Sequence, residues 1–312
     1  MLVKLKLNYF FFLSFILLPF ISIAQPYVDI LNVKSQYFLK TNYADSTNNK
    51  LVSNQQEATF LIPLVLKNKD IIYIGGDYTQ LNFSSSGKSN EYGHLQTVSL
   101  QLGYEKGWKN EKWRTFAMVI PKINSDLGYI HSNDFQLGGV VLFKYQKKEN
   151  LSYHIGAYYN REFFGNYFLP LLGIDWRINK RLNLFGDFPA SMNLEYKFGK
   201  SFYGGAEFYC VVSSYRTETT ILTNDYIREG DKIFGHEEFR IYLHAYLSSH
   251  LVLSAQTGET FYRVFEQYDS KNDPARAGSN SIYRKTKDQL FFNIGIAYRF
   301  RLDTEKNSTT KP

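Results

Sequence analysis

Residues 289–300 read QLFFNIGIAYRF, and the alternation in this stretch constrains the fold more than any other feature of the chain. Leu290, Phe292, Ile294, Ile296, Tyr298 and Phe300 are bulky and apolar, whereas Gln289, Asn293, Gly295, Ala297 and Arg299 between them are polar or small. A period of two is the signature of a β-strand, because successive side chains point to opposite faces. In a soluble sandwich the apolar face would meet a core and the polar face water. In an outer-membrane barrel the apolar face would meet lipid and the polar face a lumen. One strand is compatible with both.

The start of the chain bears on the compartment. Residues 1–24 read MLVKLKLNYFFFLSFILLPFISIA: Lys4 and Lys6, an apolar run, then Ser22-Ile23-Ala24 before Gln25. Small residues at the minus-three and minus-one positions mark a signal-peptidase site, with cleavage expected after Ala24. The run from Tyr9 to Ile23 is 15 residues, short of the roughly 20 that span a bilayer as a helix. Gln25 in place of a cysteine speaks against a lipoprotein. No later apolar run approaches membrane-helix length. The single cysteine, Cys210, rules out an internal disulfide.

Fourteen strand-like segments are read: 29–40, 56–66, 70–83, 92–104, 110–120, 135–147, 151–163, 167–177, 181–188, 191–198, 201–217, 236–248, 250–267 and 287–301. The connections alternate in length. KNKD at 67–70, KGWKNEK at 106–112, QKKEN at 146–150, INKR at 178–181, GKS at 199–201 and SSH at 248–250 are short. Between them lie long stretches at 41–54, 84–91, 122–134, 217–235 and 269–286, with two tight exceptions near 164–166 and 189–191. Short turns at one end and long loops at the other are the habit of transmembrane barrels.

The strand faces agree. In 92–104, Val98, Leu100, Leu102 and Tyr104 oppose Thr97, Ser99, Gln101 and Gly103; in 236–248, Phe239, Ile241, Leu243, Ala245 and Leu247 oppose Glu238, Arg240, Tyr242, His244 and Tyr246. Segments 151–163 and 191–198 repeat the pattern. The 25 Tyr, 26 Phe and 3 Trp suit aromatic girdles at two interfaces. A mean hydropathy of −0.32 does not argue otherwise, since half of each barrel strand is polar. The reading is therefore all-β: a transmembrane antiparallel β-barrel over 25–301 of about 14 strands (12 the alternative), with short periplasmic turns and longer extracellular loops. Residues 302–312, RLDTEKNSTTKP from Arg301 onward, form a polar tail expected to be disordered.

The block FLPLLGIDWRINKRLNLFGDFPASMNLEYKFGKSFYGGAEF at 168–208 carries a family likeness. Its marks are Gly173-Ile174-Asp175-Trp176-Arg177-Ile178-Asn179, then Phe188-Pro189, then Leu194-Glu195-Tyr196-Lys197-Phe198. It resembles a family of Gram-negative outer-membrane β-barrel proteins, domain of unknown function 6268, and the likeness covers most of the chain. The resemblance implies fold and location, not chemistry. Segment 287–301, ending on the aromatic Phe300, also resembles the terminal signal read by the barrel-assembly machinery, although a tail follows it here.

Candidate chemistry is sparse. His131-Ser132-Asn133-Asp134 holds the residue types of outer-membrane phospholipases, but adjacent residues diverge on a strand, and these sit in a loop. No catalytic residue is assigned. No His, Cys and Asp spacing suits a metal, no cofactor is called for, and nothing resembles a nucleic-acid module. The net charge of +7, or +5 without Lys4 and Lys6, fits solvated turns as well as an anion-attracting lumen. Candidate lumen-lining residues are Glu195, Lys197, Glu207, Glu238, Arg240, His244 and Arg299, which either ring a constriction or pair with one another. Cys210 is expected on the lipid face, as a small hydrophobe. Expected partners are outer-membrane lipid, the barrel-assembly machinery during biogenesis and an unknown solute. The expected location is the outer membrane after export. A channel or transporter for small solutes leads; an interaction barrel with a filled lumen comes second, and a lipid-modifying enzyme third.

Overall fold

The structure is a computed structural model that describes residues 26–42, 50–86, 91–108, 112–128, 130, 132–163, 165–218, 224–229, 236–261, 264–268, 282–285 and 287–302. The expected signal sequence at 1–24, His131 and the tail from 303 onward lie outside these residues.

The strands are β1 (Tyr27–Asn42), β2 (Lys50–Val65), β3 (Ile71–Ser86), β4 (Glu91–Gly107), β5 (Trp113–Ser125), β6 (Phe135–Lys148), β7 (Leu151–Glu162), β8 (Gly165–Arg177) and β9 (Leu182–Phe188). They continue with β10 (Ser191–Lys197), β11 (Phe202–Val211), β12 (Ser213–Glu218), β13 (Asn224–Glu229), β14 (His236–Tyr246), β15 (Leu251–Phe261), β16 (Val264–Tyr268), β17 (Ile282–Lys285) and β18 (Gln289–Arg301). Fourteen of them, β1 to β11 with β14, β15 and β18, form a closed antiparallel ring. The ring shuts where β1 pairs with β18, Tyr27 opposite Arg301 and Phe38 opposite Phe291. Closure leaves no strand edge in the barrel wall, which a bilayer without hydrogen-bonding solvent requires.

The alternation of each strand becomes an inside and an outside. Along β18, Leu290, Phe292, Ile294, Ile296, Tyr298 and Phe300 are exposed, Ile294 at 66%, while Gln289, Phe291, Asn293, Ala297 and Arg299 are buried. Val98, Leu100, Leu102 and Tyr104 of β4 and Phe239, Ile241 and Leu243 of β14 are likewise exposed. These side chains face outward, so the outer surface is an apolar band of the kind lipid accepts. Near the short turns the band is aromatic: Trp108, Trp113, Trp176, Tyr196, Phe198 and Phe202 are all exposed. Lys106 sits 5.3 Å over Trp108, and Lys147 lies 5.6 Å over Tyr153. Such cation–ring pairs suit the lipid–water boundary, where one partner is wet and the other is not.

Several boundaries depart from the sequence reading, among them the expected strand at 250–267, which is β15 in the ring and β16 outside it, and β5, which reaches Ser125 in the expected loop at 122–134. The expected single strand at 201–217 breaks at Val212 into β11 and β12, and β12 leaves the wall. The expected long loops at 217–235 and 269–286 contain short strands, β13 and β17, which pair with β12 and β16. β2 and β3 extend further toward the loop end than expected, each reaching 16 residues.

β12 makes a single parallel bridge to β5, Arg216 with Ser125. In the ring β5 and β11 are six strands apart, nearly diametrically opposite. The chain leaving β11 therefore crosses the mouth of the barrel at the loop end to reach the far wall.

Candidate functional site

Strand register decides which inward charges meet. Glu207 of β11 faces Arg240 of β14 across the ladder, and Asp29 of β1 faces Arg299 of β18. Opposite residues on one face are about 5 Å apart at Cβ, within reach of long side chains. Arg240 bonds Glu238 at 2.6 Å on its own strand and Glu207 at 3.2 Å across the ladder. Its guanidinium lies 4.5 Å over the Tyr209 ring. Arg299 grips both oxygens of Asp29, at 2.5 and 2.9 Å, and rests 3.5 Å over Tyr27. It also donates to His244 Nδ1 at 3.0 Å. Glu195, wholly buried, accepts from Arg301 at 2.7 Å. Lys197 sits at the turn end of β10, 5.8 Å over Tyr203.

The seven sequence-derived candidates therefore do not make one ring. They form separate clusters along one side of the lumen, each charge held by an opposite charge or an aromatic face. Arg301, which completes the Glu195 pair, was not among them. It is the last residue of β18, and only the closure of β18 onto β1 shows that Glu195 of β10 is its partner.

The opposite side of the lumen is built differently. Glu105 of β4 takes Arg114 and Lys144, the latter at 3.1 Å. His154 of β7 lies 3.0 Å from Asp187 through Nδ1 and 2.9 Å from Asp175 through Nε2. Gly173 makes room for this bridge, because a Cβ there would strike both Asp187 and His154. Above it the wall turns apolar: Leu142, Tyr167, Leu169 and Leu171 form a buried cluster, extended by Phe116, Val140 and Tyr158. A signal for this patch was in the sequence. FLPLL at 168–172 is apolar in both phases, which marks a strand covered on both faces.

Space remains between the walls. A cavity of 590 Å³ occupies the centre, with the apolar cluster on one side and Lys34, Glu57, Asp77 and Arg240 on the other. A second, of 370 Å³, lies toward the short turns and is lined by Tyr73, Glu105, Arg114, Lys144, His154 and Asp175. Thr59 and Gln101 line both. A third, of 130 Å³, sits among Arg240, His244 and Arg299. Cys210 lines the central cavity rather than lying wholly against lipid, since β11 is about to turn inward at that point.

At the loop end, β12 roofs the central cavity. Ser214 donates to Glu162 from both its N–H, at 3.0 Å, and its hydroxyl, at 2.6 Å. Its Oγ accepts from the Phe163 N–H at 2.8 Å, and its carbonyl accepts from Asn124 at 3.0 Å. Tyr215 packs against Leu51, Leu81 and Leu95. Arg216 is 3.7 Å from Asp134 and 5.3 Å over Phe163. Of the loop considered for catalysis, Ser132 and Asp134 lie in a short 3-10 turn (Ser132–Asp134), and buried Asp134 is the neighbour of Arg216. Among the described residues no group of three or more His, Cys, Asp or Glu could hold a metal ion.

The family model described as "Domain of unknown function (DUF6268)" matches residues 21–299. The chain belongs to this family. Solved structures similar to this DUF6268 protein include the COG4313 outer membrane channel from Pseudomonas putida F1, at 9% identity and TM-score 0.44 over 88% of this chain and 96% of that one. The KdgM porin in complex with disordered oligogalacturonate is 8% identical, with TM-score 0.36 over 86% and 99%. The NanC porin is 9% identical, with TM-score 0.36 over 86% and 98%. No curated protein matches the sequence.

Proposed function

We propose that this DUF6268 protein resides in the outer membrane and passes small solutes along one side of its lumen. The observation that carries this is the pair of cavities, 590 and 370 Å³, that share Thr59 and Gln101 on their walls. They run from beneath β12 toward the short turns, past the Glu105 and His154 ion pairs on the β4–β8 side. Side chains just fill a barrel of about eight strands, whereas one of fourteen is wide enough to keep such spaces open. The clustered pairs on the other side narrow the bore and set its field. β12 gates the outer mouth.

A second reading, an interaction barrel acting through its loops, is favoured by one observation: β12 covers the mouth with buried, bonded residues. Reconstitution separates the two. Protein inserted in liposomes should admit small sugars or amino acids in a swelling assay and give discrete conductance in planar bilayers. Full insertion with neither swelling nor conductance overturns the passage reading and leaves the interaction barrel.

A further inference from the structure

The central cavity has two unlike walls, and each points to a feature of its occupant. On β5 to β8 the wall is apolar, with Phe116, Leu142, Tyr158, Tyr167, Leu169 and Leu171 lining the space. Water against such a surface is poorly bonded, and an apolar body that displaces it gains free energy roughly in proportion to the area covered. Porin-like lumens are expected to be polar, so a stretch of wall on β5 to β8 made of leucine and aromatic rings needs a reason. Packing supplies part of one, since Ala190 and Val212 lie against the cluster, but the same side chains also line the open space.

The facing wall has carboxylates in excess. Its cations are taken, Lys34 by Glu57 at 3.0 Å and Arg240 by both Glu238 and Glu207, and Lys122 on the β5–β8 side is taken by Glu162 at 3.2 Å. Asp77 lines the same cavity and is bonded by Ser99 and, at 3.3 Å, by Gln101, both neutral. Among the described residues no cation lies within ion-pair distance of it. A carboxylate facing a confined, partly apolar space attracts a positive group more strongly than one in bulk water.

We propose that the central cavity is a binding site for a small amphipathic organic cation, its apolar or aromatic body on the β5–β8 wall and its ammonium group at Asp77. At 590 Å³ the space is within the range of small-molecule sites, mostly apolar with a few convergent polar groups. The proposal rests on the passage reading and names the solute class for it. The β12 strand would close over the occupant from the loop end.

The test is equilibrium binding to the purified full-length barrel, followed by calorimetry, with four probes: phenethylamine, phenylethanol, phenylacetate and ethylamine. Phenethylamine should bind at least tenfold more tightly than the alcohol or the acid, and ethylamine should not bind measurably. Asp77→Asn should reduce phenethylamine to the level of phenylethanol and leave phenylethanol unchanged. Leu169→Gln should weaken both aromatic probes equally. Heat-modifiable migration on gels checks that each variant folds, and Asp77→Glu, which keeps the charge, should keep the preference. Preference for phenylacetate, equal binding of all three aromatic probes, or no phenethylamine binding by folded wild type overturns the proposal. Liposome swelling with arabinose keeps the two readings apart. Swelling without phenethylamine binding sinks the site and leaves passage standing, whereas phenethylamine binding without any flux supports the site and removes passage.

Discussion

Arg240 and Glu207 stand opposite each other across the β11–β14 ladder, and the Arg240 guanidinium joins Glu207 at 3.2 Å to Glu238 at 2.6 Å. One buried cation therefore serves two carboxylates, buried Glu238 and half-buried Glu207, and offsets one of their two charges. Removing it leaves both without a counter-charge in a poorly screened space. Arg240→Gln should destabilise the barrel by about 3–5 kcal/mol, the usual cost of breaking a buried pair from one side. Urea unfolding of the refolded protein in detergent measures this. Adding Glu238→Gln to the variant should recover part of the loss; an unchanged midpoint for Arg240→Gln alone would show that water reaches this cluster freely.

The outer face gives a second expectation. Ile294 is 66% exposed on β18, and an arginine there would enter the apolar band. Ile294→Arg should cost about 2–4 kcal/mol if the site is near the bilayer midplane. Its neighbour Asn293 is a poor inward control, being 1% exposed and bonded by its amide to Gln36. Thr79, which lines the 590 Å³ cavity, has room for the longer side chain. Thr79→Arg should cost less than half as much as Ile294→Arg when both are unfolded in lipid vesicles; equal costs would contradict the facing of these strands.

The mouth gives a third. Ser214 holds β12 to Glu162 and Phe163 through its hydroxyl. Hydrogen bonds to a charged group are worth about 1.5–3 kcal/mol. Ser214→Ala should therefore raise the population with β12 released by about ten- to a hundredfold, without weakening the barrel ladder. Single-channel recording should show more frequent or longer openings. Identical gating in the variant and the wild type would mean that β12 does not move on the pathway.

A fourth concerns the turn between β2 and β3, outside the spanning strands. Asp70 accepts from the Tyr104 hydroxyl, from the Gly107 N–H at 2.9 Å and from Asn68 at 2.8 Å. The Tyr104 bond above all, then the Gly107 amide, holds its carboxyl below the usual carboxylate range. A depressed value means that the contribution to stability is present above the ordinary carboxyl pKa and is lost as pH falls through the lowered one. The Gly107 amide should therefore stay protected from hydrogen exchange down to mildly acid pH and lose protection below it. In Asp70→Asn that protection should not depend on pH over the same range. A carboxyl titrating at or above its ordinary value would contradict the geometry.

How much of this the sequence settled by itself depends on the range of the interaction concerned. Alternation along 289–300 and along 236–248 is a local property, because neighbouring side chains on a strand must diverge. It was enough to assign an inside, an outside and a barrel of about 14 strands, with 12 the alternative; the ring itself has 14. The short turns were legible for the same reason. What the tertiary structure decided was every relation that depends on closure and register. Nothing near Arg299 in sequence identifies Asp29, 270 residues away, as its partner; that follows only when β18 shuts against β1. The expectation of a continuous strand at 201–217 failed at Val212 because the pull on β12 comes from the far wall, from Glu162, Asn124 and the Leu51, Leu81 and Leu95 cluster. The two-sided apolar run at 168–172 was visible in the sequence, but an apolar face turned toward a lumen cavity and one turned toward protein are written in the same residues. Only the strands placed opposite it, and the space left between them, tell the two apart.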